Sequence, residues 1–376
     1  MCTAIETNSI AARPNPKKIA GHVAVKKNQQ GAALILVVIT LPVLFGVTAL
    51  AVDFAYAYVV RNELQNAADA AALAGTGCLY PRSISSLCGN SANSAPDFTT
   101  ASIRANPANT EFSKNTAASA PITSGSIKTG YWNVTNPSIG VHAVQGTSDF
   151  PAVQVTIKKD TGLNGGPVNT FIARIFGVNT VPIASTATAI ISSPGTVVQG
   201  LLPIVITQCM YDNYWNSSSS PPQPKNDPAT GKPYVIKIGS SYHTGACEAG
   251  QWTSFSVDSN NVPTIRDLIT NGNPTALGIG DNTWIQPGTK TTLFSSVNSC
   301  SAAGDKTCEY VTVPIVGNIT THAAVPVVAF ACLHIDLADG GSGKFIQAEM
   351  STKCPPLNSS GIGPMYGAIT PPRLVQ

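Results

Sequence analysis

Gly31 to Gly77 reads GAALILVVITLPVLFGVTALAVDFAYAYVVRNELQNAADAAALAGTG, and the change of composition in its middle decides the architecture. The 22 residues from Gly31 to Val52 carry no charge. As a helix they reach about 33 Å at ~1.5 Å per residue, enough for the ~30 Å hydrocarbon core of a bilayer. Pro42 removes one backbone donor, which membrane helices tolerate. A buried core helix seldom runs uncharged for so long. A cleaved signal has a shorter apolar region with a small-x-small site close behind it. Here Asp53, Phe54, Ala55 and Tyr56 follow directly, and Ala72-Leu73-Ala74 lies too far on to serve as that site. Residues 31–52 are therefore expected to cross a membrane.

Residues 53–77 hold no proline and no glycine before Gly75, and Ala, Leu, Glu, Gln and Arg favour continued helix. Gly75 and Gly77 supply the stop. Leu64, Ala67, Ala68, Ala71 and Ala74 fall at helical spacing and make a face of small side chains. Such a face admits another backbone closely: the chain's own sheet, or a helix of a neighbouring subunit. Asp53 is expected at the membrane boundary, either solvated or paired with a basic group of a neighbour. Tyr56 and Tyr58 stand where an interfacial aromatic belt lies.

Charge gives the direction. Residues 1–30 contain Arg13, Lys17, Lys18, Lys26 and Lys27 against Glu6, a balance of +4 in a chain of net charge +3. This basic arm is placed in the cytoplasm, and residues 53–376 outside. The body is nearly neutral, which excludes a nucleic-acid footprint for it. Charged residues make up only 11% of the 376, and the five histidines are dispersed, which disfavours an ordinary acid–base enzyme.

Of nine cysteines only Cys2 precedes the span. Cys78, Cys88, Cys209, Cys247, Cys300, Cys308, Cys332 and Cys354 form an even set on the exported side, without a C-x-x-C pair. Structural disulfides of an oxidising compartment are the natural reading. Eight cysteines allow about a hundred pairings. Pairing of sequence neighbours is expected, because Cys78/Cys88 and Cys300/Cys308 would close short loops rich in Ser, Gly and Asn or Asp.

The exported part reads as α+β. Residues 78–125 are expected to be an irregular loop. Residues 126–193 are expected to form an antiparallel sheet with helices on one side, from strands near 126–132, 140–145, 152–158 and 181–191. A short helix is expected over 167–177, between Pro167 and Gly177. Residues 194–376 read as a β-rich disulfide-containing region, with strands near 202–206, 234–238, 252–257, 310–316, 325–334 and 344–349. One or two helical turns are expected over 264–271. Residues 216–233 read as an insertion. Pro203, Pro314 and Pro326 are expected at strand starts or edges.

Catalytic patterns are missing. Gly340-Gly341-Ser342-Gly343-Lys344 fits neither G-x-S-x-G nor a P-loop and is expected to be a turn. No H-E-x-x-H is present, and His142, His243, His322 and His334 are scattered. His334-Ile335-Asp336 is expected to be a polar pair at a strand end. Trp132, Trp215, Trp252 and Trp284 are expected to pack. No enzyme activity, cofactor, metal or nucleic-acid partner is expected.

The run Leu64-Gln65-Asn66-Ala67-Ala68-Asp69-Ala70-Ala71-Ala72-Leu73-Ala74, following the apolar span with its Leu41-Pro42-Val43-Leu44 break, closely resembles the N-terminal domain of TadE/TadG-like proteins of the tight-adherence (Flp) pilus-assembly system. The strand–helix–strand run 152–191, with Phe171-Ile172-Ala173-Arg174-Ile175-Phe176-Gly177, is similar to that family too. The resemblance implies a bacterial envelope protein anchored once in the inner membrane, with a pilin-like exported domain and an accessory role among pilins and assembly proteins in surface adherence. Two departures stand out. No Asp-x-Ser-x-Ser start of a von Willebrand A metal site occurs. Gly31 is followed five residues on by Leu36 where processed pilins carry Glu, so the chain is expected to remain anchored at full length. The alternative, from another class, is a surface-exposed adhesin or ligand-binding envelope module.

Overall fold

The computed structural model describes residues 30–80, 88, 95–107, 109, 115–146, 148–240 and 245–376. Residues 1–29 of the expected basic arm, much of the expected loop 78–125, Cys2 and His243 lie outside the described residues. The chain divides into two compact units, Met1–Val52 and Asp53–Gln376, and helix α1 (Gln30–Gly77) contributes to both.

In the first unit the apolar side chains from Leu34 to Val52 are mostly exposed. Among the described residues α1 is the one helix long and apolar enough to cross a membrane. The hydroxyls of Thr40 and Thr48 donate to the Leu36 and Leu44 carbonyls, each at 2.8 Å. The two polar side chains are thus satisfied inside the helix, as an apolar solvent requires.

In the second unit, Asp53–Gly77 of α1 shares a core with an antiparallel sheet of β1 (Ser126–Asn133), β2 (Asp149–Lys159) and β3 (Ile183–Ile190), closed on the β3 side by the C-terminal strand Arg373–Leu374. Val153, Val155 and Ile157 of β2 are fully buried, at the period of two that a half-covered strand shows. Helix α2 (Phe98–Arg104) completes this layer; the Asp97 carboxylate caps it by accepting from the Thr100 amide at 2.9 Å.

The rest of the unit is built on β4 (Ile204–Thr207), β5 (Val235–Ser240), β6 (Ala249–Trp252), β7 (Asn282–Ile285), β8 (Tyr310–Val316), β9 (Ala323–Asp339) and β10 (Phe345–Met350). The sheet order is β7-β9-β8-β4-β6-β5-β10, and β9 also pairs with β10. That pairing closes β9-β8-β4-β6-β5-β10 into a six-stranded barrel. The 17 residues of β9 make closure possible: Ala323–Pro326 pair with β7, Val327–His334 with β8, and Leu333–Asp339 with β10. Helices α3 (Gln208–Tyr214), α4 (Val262–Asn271) and α5 (Thr292–Cys300) contribute to the barrel's core cluster with Trp252, Phe255, Phe294 and Phe330. The eight cysteines from Cys78 onward pair with their sequence neighbours, Cys78–Cys88, Cys209–Cys247, Cys300–Cys308 and Cys332–Cys354.

Several local expectations are corrected. The helix over 167–177 is absent: Val168–Asn169 pairs with Thr180–Val181, and only Ala173–Phe176 winds into a 3-10 turn. Its apolar side chains have no core to face, so nothing rewards a full helix. The strand over 140–145 shrinks to one bridge, Tyr131 to His142. The strand near 252–257 lies earlier and ends at Trp252. Pro203 precedes β4, and Pro326 lies where β9 pairs with β7 alone. Pro314, however, is inside β8 between two paired strands, next to a register shift at Ile315/Val316. A bulge is the other place where a sheet accepts proline. Gly340–Gly343 join β9 to β10 as a turn.

Candidate functional site

The second half of α1, Asp53–Gly77, is tied into its layer along its length. Leu64, Ala67, Ala68 and Ala71 are buried, in one core with Val153, Val155, Ala187 and Ala189 of the chain's own sheet. Ala74 is only half-buried; Ala72 and Gly75 are buried beside it. A Cβ at Gly75 would stand 2.6 Å from that of Ala105 and 2.8 Å from the Ala101 carbonyl, so glycine is what lets α2 approach. Polar ties run along the same helix. Glu63 accepts from the Ala118 amide at 2.8 Å, Ser185 Oγ donates to the Arg61 carbonyl at 3.1 Å, and Thr76 Oγ1 donates to Ala189 O at 3.2 Å.

At the start of this half, Asp53 does something the sequence did not announce. Its carboxylate accepts three consecutive backbone amides, Phe171 at 2.7 Å, Ile172 at 3.0 Å and Ala173 at 2.7 Å. Those amides begin the 3-10 turn, so Asp53 acts as its cap from 118 residues away. The amide of Phe171, helped by those of Ala173 and Ile172 and by the nearby Arg174 charge, holds the carboxyl below its usual range against the opposing effect of desolvation. Within this chain, then, Asp53 is engaged by three backbone amides of a distant loop. Local patterns could not report it, because the cap and the capped loop are far apart in sequence.

Tyr56 packs edge-on against Phe171, with ring centroids 5.5 Å apart, whereas Tyr58 stays exposed. Tyr56, Phe171 and Arg174 border a cleft of about 490 Å³ that reaches Lys159. Lys159 is buried and its ammonium donates to the Asn164 carbonyl at 2.6 Å. Desolvation pushes its pKa down, partly offset by Glu63.

Two histidines are held by carboxylates elsewhere. His142 Nε2 meets Asp149 Oδ2 at 2.8 Å, and Nδ1 meets the Gly140 carbonyl at 2.9 Å. With an acceptor at each nitrogen the imidazolium is favoured: the Gly140 carbonyl first, then Asp149, raises its pKa. Asp149 is lowered by its bonds to His142, Gly146 and Asn133, which outweigh the opposing effect of burial. His334, inside β9 rather than at its end, has Glu309 at 3.2 Å from Nε2, and Asp336 at 3.3 Å and Glu349 at 3.9 Å from Nδ1. Burial, then Asp336, raises the Glu349 pKa. Among the described residues no group of three or more His, Cys, Asp or Glu side chains is placed to hold a metal ion.

An apolar helix that fits a membrane anchor or a signal, continued by a small-residue half seated on an antiparallel sheet, defines a class: a helix-led α+β protein with a disulfide-bonded β-rich region. Residues 31–77 match the sequence model of the Tad family, described as putative Flp pilus-assembly TadE/G-like, so the N-terminal region carries a Tad domain. The matched stretch takes in the apolar span, Asp53 and the buried alanine face, and it supports involvement in Flp pilus assembly. No curated protein and no solved structure matches the chain.

Proposed function

We propose that this protein is a non-enzymatic, membrane-anchored accessory component of Flp pilus assembly. Residues 31–52 hold it in the inner membrane with the basic arm cytoplasmic. Residues 53–376 form the exported body that meets pilins or other assembly proteins. The observation that carries the reading is the Tad match itself, over a helix whose first half is lipid-compatible and whose second half is locked into the body by Leu64, Ala67, Ala68 and Ala71. The helix thereby serves as both anchor and structural spine.

Alkaline phosphatase fused after residue 77 should be active, and fused within residues 1–28 inactive; the reverse pattern overturns the topology. A strain lacking the protein should lose surface Flp pili and recover them with the full chain. Unchanged piliation in that strain overturns the assembly role.

One observation favours the adhesin alternative. A cleft of about 680 Å³ is lined by Ser217, Ser218, Ser219 and Ser220 together with Phe150, Ile362 and Met365, a mixed polar and apolar wall with room for a ligand. Wild-type piliation together with lost surface attachment in the deletion strain supports that reading instead.

A further inference from the structure

We infer that the loop Phe171–Val178 is a second membrane contact, inserting its apolar side chains into the lipid interface. The inference rests on the reading of residues 31–52 as an anchor.

Four observations converge on it. The loop exposes Phe171, Ile175, Phe176 and Val178, with Ile175 at 74% and Phe176 at 75%. Exposed apolar groups of this size, gathered in one short segment, mark an interaction surface. The 3-10 turn presents them without any core of its own. Second, the loop's position along the chain is fixed by Asp53, whose carboxylate holds the amides of Phe171, Ile172 and Ala173. Asp53 is the first charged residue after the apolar span. Asp53 follows Val52 directly in the chain, so what it holds is tethered to the residue next to the span.

Third, the dimensions agree. The span's ~33 Å slightly exceeds a ~30 Å hydrocarbon core, which leaves Asp53 among the headgroups. Interfacial segments bury their apolar faces about 5–10 Å into the boundary between headgroups and acyl chains. A loop tied to residue 53 needs no further reach. Fourth, the loop's single charge is Arg174, a cation whose guanidinium matches lipid phosphates, and Phe54 and Tyr58 are exposed on the adjoining turn of α1. The lipid surface is favoured as occupant because it is continuous with the span, whereas a protein partner would have to share this zone with the headgroups.

The test uses the full chain reconstituted in vesicles of phosphatidylethanolamine and phosphatidylglycerol, some brominated on the upper acyl chain. Three single variants each add one tryptophan: Phe45→Trp in the span, Phe176→Trp in the loop and Val235→Trp on the barrel. Wild-type emission is subtracted. Brominated lipid should remove most of the added emission of Phe45→Trp and Phe176→Trp and leave that of Val235→Trp intact. Quenching of Phe45→Trp without Phe176→Trp, or quenching of Phe176→Trp by aqueous iodide instead, overturns the loop insertion and leaves the anchor standing. An unquenched Phe45→Trp overturns the anchor and the inference together.

Discussion

The layer around α1 and the barrel solve the same packing problem with opposite materials. The first core is rich in alanine: Ala67, Ala68, Ala71, Ala72, Ala101, Ala105, Ala117, Ala187 and Ala189 sit among a comparable number of Val, Leu and Ile residues. Where the alanines of α1 face the sheet the backbones approach closely, and polar ties such as Thr76 to Ala189 add to the contact. The barrel core is filled by Trp252, Phe255, Phe294, Phe330, Met210 and Met350, and three disulfides brace its surroundings. One region should therefore suffer most from added volume, the other from lost volume or a lost cross-link.

The largest expected effect is in the barrel. Phe330→Ala should cost about 3–5 kcal/mol, the usual range for emptying a well-packed aromatic site. Urea unfolding of the detergent-solubilised chain, followed by near-ultraviolet circular dichroism, measures it. A loss no larger than that of an exposed substitution would mean that the barrel core is not the close-packed one described.

Removing Cys332–Cys354 by the double change Cys332→Ser and Cys354→Ser should cost about 3 kcal/mol, from the chain entropy released by opening its loop. The bridge spans 22 residues, against 8 for Cys300–Cys308, so the matching double variant of the shorter bridge should lose less. An inverted order in the same unfolding experiment would show that strain or local contacts, not loop closure, decide.

In the alanine layer the smaller expected loss comes from added volume. Ala71→Leu should destabilise by ~1–3 kcal/mol through overpacking, while Asn62→Leu on the exposed side of α1 should be nearly neutral. Equal melting temperatures for the two variants would remove the packing role from the alanine face.

The smallest effect is a pH dependence of the His142–Asp149 clip. Raised in the folded state, His142 contributes fully below about pH 6.5, and that contribution is lost as pH climbs through its folded value. Asp149, depressed, contributes fully above about pH 3.9 and loses it as pH falls through its folded value. The clip is strongest between the two. The stability difference between wild type and His142→Gln should therefore shrink as pH rises from about 6 to about 9. A difference that stays constant over that range assigns the clip to neutral hydrogen bonding.

The same contrast explains what could be read in advance. Both halves of α1 were legible, since an uncharged run giving way to alanines at helical spacing leaves few other readings. The strands around Val153, Val311 and Ile346 were legible from local apolar patterning. The turn at Ala173–Phe176 was not: Pro167 and Gly177 looked like helix punctuation, whereas its conformation is set by a carboxylate distant in sequence. Closure of the barrel escaped for a related reason. It depends on β9 reaching past β8 to pair with β10, and nothing in a strand's own alternation names its neighbours. Helix α2, inside the stretch 78–125 expected to be irregular, and helices α3 and α5 were missed because Phe98–Arg104, Gln208–Tyr214 and Thr292–Cys300 are too short for a helical period to show.

The cysteine connectivity bears on how the protein can be made. From Cys78 onward every bridge joins a cysteine to the next one along the chain, and none crosses another. On the proposed topology the chain emerges amino end first. Each cysteine of a pair then meets its native partner before any later thiol has appeared. An oxidase that simply joins successive thiols produces the native set in order, with no wrong bridge to be undone. Maturation of this protein should therefore depend on a thiol oxidase and be indifferent to a disulfide isomerase.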